Sequence, residues 1–162
     1  KSFILKLSDS ETQDQPAFTA GSHVDVTGPT GVVRQYSLCG ESADGHYQIA
    51  VKLEANSRGG SSAMHSLSVG DEVTVSDPRN LFPLSGVAEH HVLISAGIGI
   101  TPILSMARAL SRSNSTFEVE YFAQSEKHAA FLDVLQLRAQ NPPIRNTREN
   151  WKDLFCVNAW KV

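Results

Sequence analysis

Up to about residue 85 the apolar positions recur every second residue in short bursts. "HVDVT" (23–27) sets Val24 and Val26 against Asp25 and Thr27. "HYQIAVKLE" (46–54) sets Tyr47, Ile49, Val51 and Leu53 against Gln48, Ala50 and Lys52. A period of two puts alternate residues on opposite faces of a strand, so each burst predicts a strand with one buried face. "SFILKL" (2–7), "VVRQYSL" (32–38) and "VGDEVTVSDP" (69–78) predict further strands, and "GPTG" (28–31) has the turn residues to join "HVDVT" to "VVRQYSL" as a hairpin. Short strands separated in this way predict an antiparallel barrel or sandwich.

After "PRNLFPLSG" (78–86) the rhythm changes. "HVLISAG" (91–97) is a continuous apolar run, the pattern of a parallel strand buried on both faces. "TPILSMARALSR" (101–112) places Pro102 at a helix start and repeats its apolar residues at helical spacing. "FEVEYFA" (117–123) predicts a strand and "HAAFLDVLQLRAQ" (128–140) an amphipathic helix. Strand, helix, strand, helix predicts a parallel α/β unit with about two strands. The chain therefore divides into an all-β part at 1–87, an α/β part at 88–140 and a tail at 141–162. That tail opens on a Pro-Pro breaker and has room for a short helix at "ENWKDLF" (149–155). "LFPL" (81–84) reads as an interdomain strap in preference to a ligand contact.

Composition excludes several function classes. With 41% hydrophobic and 19% charged residues among 162, the chain has the make-up of an ordinary soluble globular protein. A net charge of -3 without a basic cluster gives no drive toward nucleic acid. No apolar run approaches the roughly 20 residues of a membrane span, and the first ten residues do not make a signal peptide, so the expected location is the cytoplasm. Cys39 and Cys156 are too few for a disulfide framework, a zinc site or an iron–sulfur cluster. The six histidines show no ligand spacing, so no metal site is expected, and no G-x-S-x-G is present for a serine hydrolase.

Three stretches carry candidate chemistry, each with an ordinary reading beside it. In "RQYSL" (34–38), Arg34 offers a planar fork of donors to a phosphate, Tyr36 an aromatic face and Ser37 a hydroxyl, although strands carry such residues routinely. In "NSRGGSSAMHSL" (56–67), Gly59 and Gly60 precede Ser61 at a helix start, which serves either as an anion site or as a capped turn. In "SAGIGITPILSMARAL" (95–110), Gly97 and Gly99 match the first two positions of a dinucleotide fingerprint, with Pro102 in place of the third glycine.

In combination and in this order, the three stretches resemble the ferredoxin–NADP reductase superfamily, whose flavin barrel has an R-x-Y-S motif and whose nicotinamide domain opens with G-x-G-x-T-P. Here these are Arg34-Tyr36-Ser37 and Gly97-Gly99-Thr101-Pro102. "RGGS–MH" and "PRNLFPL" are similar to the phthalate dioxygenase reductase and vanillate demethylase reductase branch, over roughly residues 1–138. The resemblance implies an all-β antiparallel flavin-binding barrel followed by a truncated α/β nucleotide-binding domain.

It further implies that Arg34 binds the flavin phosphate, that Tyr36 lies against the flavin and ribityl region, and that Ser37 bonds near the hydride-accepting N5. The segment Ile49 to Lys52 would border the ring, with backbone groups of Ala50 and Val51 bonding its pyrimidine edge. Gly59, Gly60 and Ser61 would complete the phosphate pocket. Gly97, Gly99, Thr101 and Pro102 would receive the nicotinamide, with Ser37 and Thr101 closest to the chemistry. Gln124, standing where relatives often have an arginine, favours NADH over NADPH, and the lack of an adenine signal favours FMN over FAD. The expected activity is electron transfer from the nicotinamide dinucleotide through FMN to a [2Fe–2S] centre and a partner oxygenase. That cluster is expected only in a domain missing from this chain, which looks like a fragment starting inside its first strand. The family's later "CGP"-like turn is absent too. The rival readings are a flavin-binding module that does not oxidise NADH and an electron-transfer flavoprotein subunit of another complex.

Overall fold

The computed structural model describes residues 1–8 and 15–137. In the first half, β1 (Ser2–Leu5) pairs antiparallel with β4 (Tyr47–Ala50). β2 (His23–Thr27) lies between β3 (Val33–Ser37) and the short β5 (Thr74–Val75), antiparallel to both. The β2–β3 hairpin closes through "GPTG": the Gly31 amide donates to the Gly28 carbonyl at 2.9 Å, and Gly28 donates to Val32 at 3.2 Å. An Asp25–Arg79 ion pair at 2.6 Å holds the far side of β2.

Among the described residues the expected antiparallel β architecture is present, but closure into a barrel is not. The strands form two sheets, β1–β4 and β3–β2–β5, with no ladder between β3 and β4. The sheets are stitched just beyond β3, where Leu38 donates to the Ser22 carbonyl and Cys39 to the Gln48 carbonyl, both at 2.9 Å. Val24, Val26, Leu38, Tyr47, Ile49 and Val51 form the core between them. Leu53 departs from the alternation and is 54% exposed, because β4 ends at Ala50 before the pleat reaches it. A short helix, α1 (Gly60–Ser66), buries Ala63 and Met64.

In the second half, β6 (His90–Ala96) runs parallel to β7 (Thr116–Phe122), and α2 (Ile100–Arg112) crosses between them. α2 starts two residues before Pro102. The proline is tolerated in the first turn because amides there have no carbonyl to reach within the helix. Ile100, Ile103, Leu104, Met106, Ala107 and Leu110 bury the inner face of α2. The expectation that "HVLISAG" would be buried on both faces fails. Leu93 is 6% exposed under α2, whereas Val92 and Ile94 are 52% and 56% exposed, because among the described residues only one layer covers the sheet. α3 (Leu132–Leu137) begins later than the sequence pattern suggests, after Phe131 adopts a φ of 60°. The rest of that pattern, the expected "ENWKDLF" helix and Cys156 lie outside the described residues. No helix among them is long and apolar enough to cross a membrane.

The two halves meet at Gly21. Its φ is +93°, and a Cβ there would stand 2.0 Å from the Phe82 carbonyl oxygen and 2.9 Å from the Met106 methyl. The first contact is with the strap and the second with α2, so a hydrogen at this position lets strand region, strap and helix converge. Gly21→Ala should therefore cost roughly 2–4 kcal/mol, combining a left-handed backbone with overpacking. Gly45→Ala has a φ of +66° but open space around it, and should cost about 1 kcal/mol. Urea titration of both variants checks this, and equal losses would show that crowding at Gly21 is unimportant.

Candidate functional site

β3 pairs in register with β2 so that Arg34 faces Val26 and Tyr36 faces Val24. Cross-strand partners share a face, which puts Arg34 and Tyr36 on the inner side of an open sheet. The start of α1 lies on the Arg34 stem: a Cβ on Gly60 would stand 3.0 Å from Nε and 3.1 Å from Cγ. Gly59 enters the helix at a φ of +91°. Of the Arg34 donors, Nη1 bonds the Val33 carbonyl at 2.8 Å, and no carboxylate pairs with this arginine among the described residues. The Ser61 hydroxyl accepts from the Glu54 amide at 3.1 Å, which leaves its O–H free to donate. Ser57 accepts from the Ser62 amide at 3.2 Å. Burial raises the Tyr36 pKa above the usual phenol value, against the opposing pull of Arg34, so this ring stays neutral.

Beyond β4, Val51 is held from two sides. Its amide donates to the Lys1 carbonyl at 2.9 Å, and its carbonyl lies 2.8 Å from His65 Nε2. A carbonyl only accepts, so His65 carries its proton on Nε2. The Val51 N–H is thus paired within the protein. Lys52 pairs with Glu54 at 3.1 Å.

The turn after β6 faces this wall. Thr101 is buried and donates its hydroxyl to the Ile98 carbonyl at 3.0 Å, and Tyr121 donates to the Gly97 carbonyl at 3.0 Å. Between the walls lies a cleft of about 500 Å³. Arg34, Tyr36, Ser37, Ala50, Val51, Lys52, Gly60, Ser61, Gly99, Thr101 and Pro102 all line it. Of the residues singled out in the sequence, Gly59, Gly97 and Gln124 lie outside that lining; Gln124 is exposed, just past the end of β7. Arg58, Ser57, Asn56, Gln35, Ile98 and Glu54, the last in its ion pair with Lys52, line it too, without having been singled out. Arg58 had a legible signal, as the residue directly before the glycine pair, and no carboxylate pairs with it among the described residues. The cleft thus joins two uncompensated guanidinium groups to an aromatic ring and hydroxyls, a donor set suited to an elongated aromatic anion. Pro83 and Leu84 of the strap line a separate hollow that shares no residue with the cleft, in keeping with a linking role.

This arrangement has close counterparts among known proteins. The chain is 44% identical over 146 residues to a vanillate O-demethylase oxidoreductase of Pseudomonas sp. (strain HR199 / DSM 7063), covering 89% of this chain and 46% of that one. It is 44% identical over 161 residues to the phthalate dioxygenase reductase of Burkholderia cepacia, covering 98% of this chain and 50% of the relative. The solved structure of a phthalate dioxygenase reductase superposes with a TM-score of 0.83 at 38% identity, covering 93% of this chain and 48% of the other. Over the residues they share, the chain is similar to these members of the ferredoxin–NADP reductase superfamily. Within it, these relatives are named as oxidoreductases and as reductases of oxygenase systems, and the chain spans about half their length. No protein-family model matches it.

The family's R-x-Y-S strand is followed here by Cys39, whose thiol is buried and pushed up to about 11 by that burial, with Arg108 opposing the shift. At pH 8, alkylation of Cys39 should run at least roughly a hundredfold slower in the folded protein than in urea, since the thiolate is the reactive form. Peptide mass mapping after timed iodoacetamide treatment reads Cys39 separately from Cys156. Prompt labelling of folded Cys39 would contradict its burial.

Proposed function

We propose that the chain binds FMN in the cleft and positions it to accept electrons from NADH. The observation that supports this most is the convergence of the R-x-Y-S strand, the glycine-led α1 and the G-x-T-P turn on one cleft. The residues present fit the group: Arg34 and Arg58, which have no carboxylate partner among the described residues, suit a terminal phosphate dianion together with the O–H of Ser61, and Gly60 lets α1 rest on the Arg34 stem. One phosphate end of this kind favours FMN over FAD. Tyr36 offers an aromatic face to a ring, and Ser37, whose hydroxyl has no hydrogen bond among the described residues, offers a donor beside it. Thr101 and Pro102 form the facing wall, against which a nicotinamide would stack.

Bound flavin supplies the chemistry of accepting a hydride and releasing its electrons singly; the protein aligns donor and acceptor and excludes water. Thr101 and Pro102 hold one side of that alignment and Ser37 the other. Gln124 near the dinucleotide would remove a charge attractive to a 2′-phosphate, favouring NADH. The relatives named as reductases of oxygenase systems support onward delivery through a [2Fe–2S] centre to an oxygenase. Electron transfer from pyridine nucleotides to [2Fe–2S] is what the matched reductase structure is described as performing.

A second reading is favoured by the exposed outer face of β6 and by Gln124 lying outside the cleft: the chain holds flavin without oxidising NADH. Anaerobic stopped-flow mixing of the flavin-loaded chain with NADH separates the two, with prompt bleaching expected and an unchanged spectrum supporting passive binding. Arg34→Ala should weaken FMN binding by roughly 10- to 100-fold, the worth of a charge-assisted bond, as read by flavin fluorescence quenching. Ser37→Ala should leave binding within about threefold and slow reduction by roughly tenfold or more. Wild-type behaviour of both variants would reduce "RQYSL" to strand decoration.

A further inference from the structure

Along α2 the residues Thr101, Ser105, Arg108 and Arg112 recur at the three-and-four spacing of one helix face. Thr101 lines the cleft, and the other three reach the β half. Ser105 is buried; its hydroxyl accepts from the Gly21 amide at 3.2 Å and donates to the Pro102 carbonyl at 2.8 Å. Arg108 Nη1 donates to the Cys39 carbonyl at 2.8 Å and approaches Gln48 Oε1 at 3.4 Å. Arg112 pairs with Glu41. Cys39 stands two residues beyond Ser37, and Gln48 two before Ala50, so Arg108 grips the point where the two strands lining the cleft are joined.

The line of contacts runs between two voids, the cleft of about 500 Å³ and the strap-side hollow of about 720 Å³. Apolar contact across this joint is narrow: Cys39, Ala20 and the strap residue Leu84 against the α2 core. Packing on both flanks would fix the helix angle, and among the described residues it is missing. Arg108 is costly where it stands, since its Nε is buried with no partner and no carboxylate pairs with it among the described residues. A methionine would fill that site without the desolvation cost, which argues for a role beyond stability.

We propose that Arg108 is a positioning residue: by tying α2 to the end of the R-x-Y-S strand it sets the distance between Thr101–Pro102 and the flavin wall of the cleft. The proposal rests on the flavin–nicotinamide reading of that cleft. Arg108 lines neither the cleft nor the phosphate pocket and acts only through the helix.

The test uses Arg108→Met and Arg108→Lys in the full chain. Spin labels at Thr30→Cys and Ser111→Cys, both exposed positions, report the distance between the halves in a Cys156→Ser background. The distance distribution should be narrow with Arg108, broadened in Arg108→Met and largely restored in Arg108→Lys. In the FMN-loaded protein, Arg108→Met should keep the FMN Kd within threefold while the limiting rate of reduction at saturating NADH falls at least tenfold, with Arg108→Lys recovering most of it. An unchanged distribution, or broadening without a slower limiting rate, overturns the proposal. If the parent chain binds FMN and is not reduced by NADH, the functional reading fails on its own, and the spin-label distances alone decide whether Arg108 locks the joint. Misfolding of Arg108→Met with a parent-like Arg108→Lys supports it; parent-like spectra and rates in both variants overturn it.

Discussion

The hydrogen bond from the Gly21 amide to the Ser105 hydroxyl is the contact on which the rest of the molecule depends. It exists only because position 21 has no side chain, so that the strap carbonyl and the α2 methionine can both close on the backbone. Ser105 passes the connection on to the Pro102 carbonyl in the first turn of the helix. A site whose walls come from two halves of a chain needs such a chain of bonds. Through it the first turn of α2 is held against the backbone just before β2.

A second glycine does comparable work inside the cleft. Gly60 lets α1 rest on the Arg34 stem, and among the described residues no carboxylate pairs with that arginine. Arg58 adds a second cation in the same cleft, in a chain whose formal charge is -3. Two cations without carboxylate partners are tolerated at the surface, where water still reaches them, and they become useful when a dianion displaces that water. The electrostatics of the site thus run against those of the whole molecule, so net charge gives no hint of the ligand.

Much of this was legible along the chain, for reasons that differ by element. β2 follows the alternation of "HVDVT" residue for residue, since a half-buried strand must alternate. Leu53 continues the same pattern one step too far, because alternation cannot reveal where a strand leaves its sheet. Two of the three motifs stand out locally because tight turns and phosphate cradles demand glycine at fixed offsets. Val51 shows what local patterns omit: the partners of its backbone, Lys1 and His65, are set by tertiary contact. Ser105 and Arg108 were passed over because a helix pattern sorts residues into apolar and polar without saying what the polar ones touch.

By itself the sequence determined the order of strands and helices, the change of period near residue 86 and the residue types that could bind an aromatic anion. These follow from local physics: pleat and helix periodicity, turn chemistry and the reach of single side chains. Only the tertiary structure decided that the motifs share one cleft, that the β half is an open pair of sheets, and that among the described residues one face of β6 is bare. Those outcomes depend on which distant backbone groups meet and on the space left between them, quantities that no window along the chain contains.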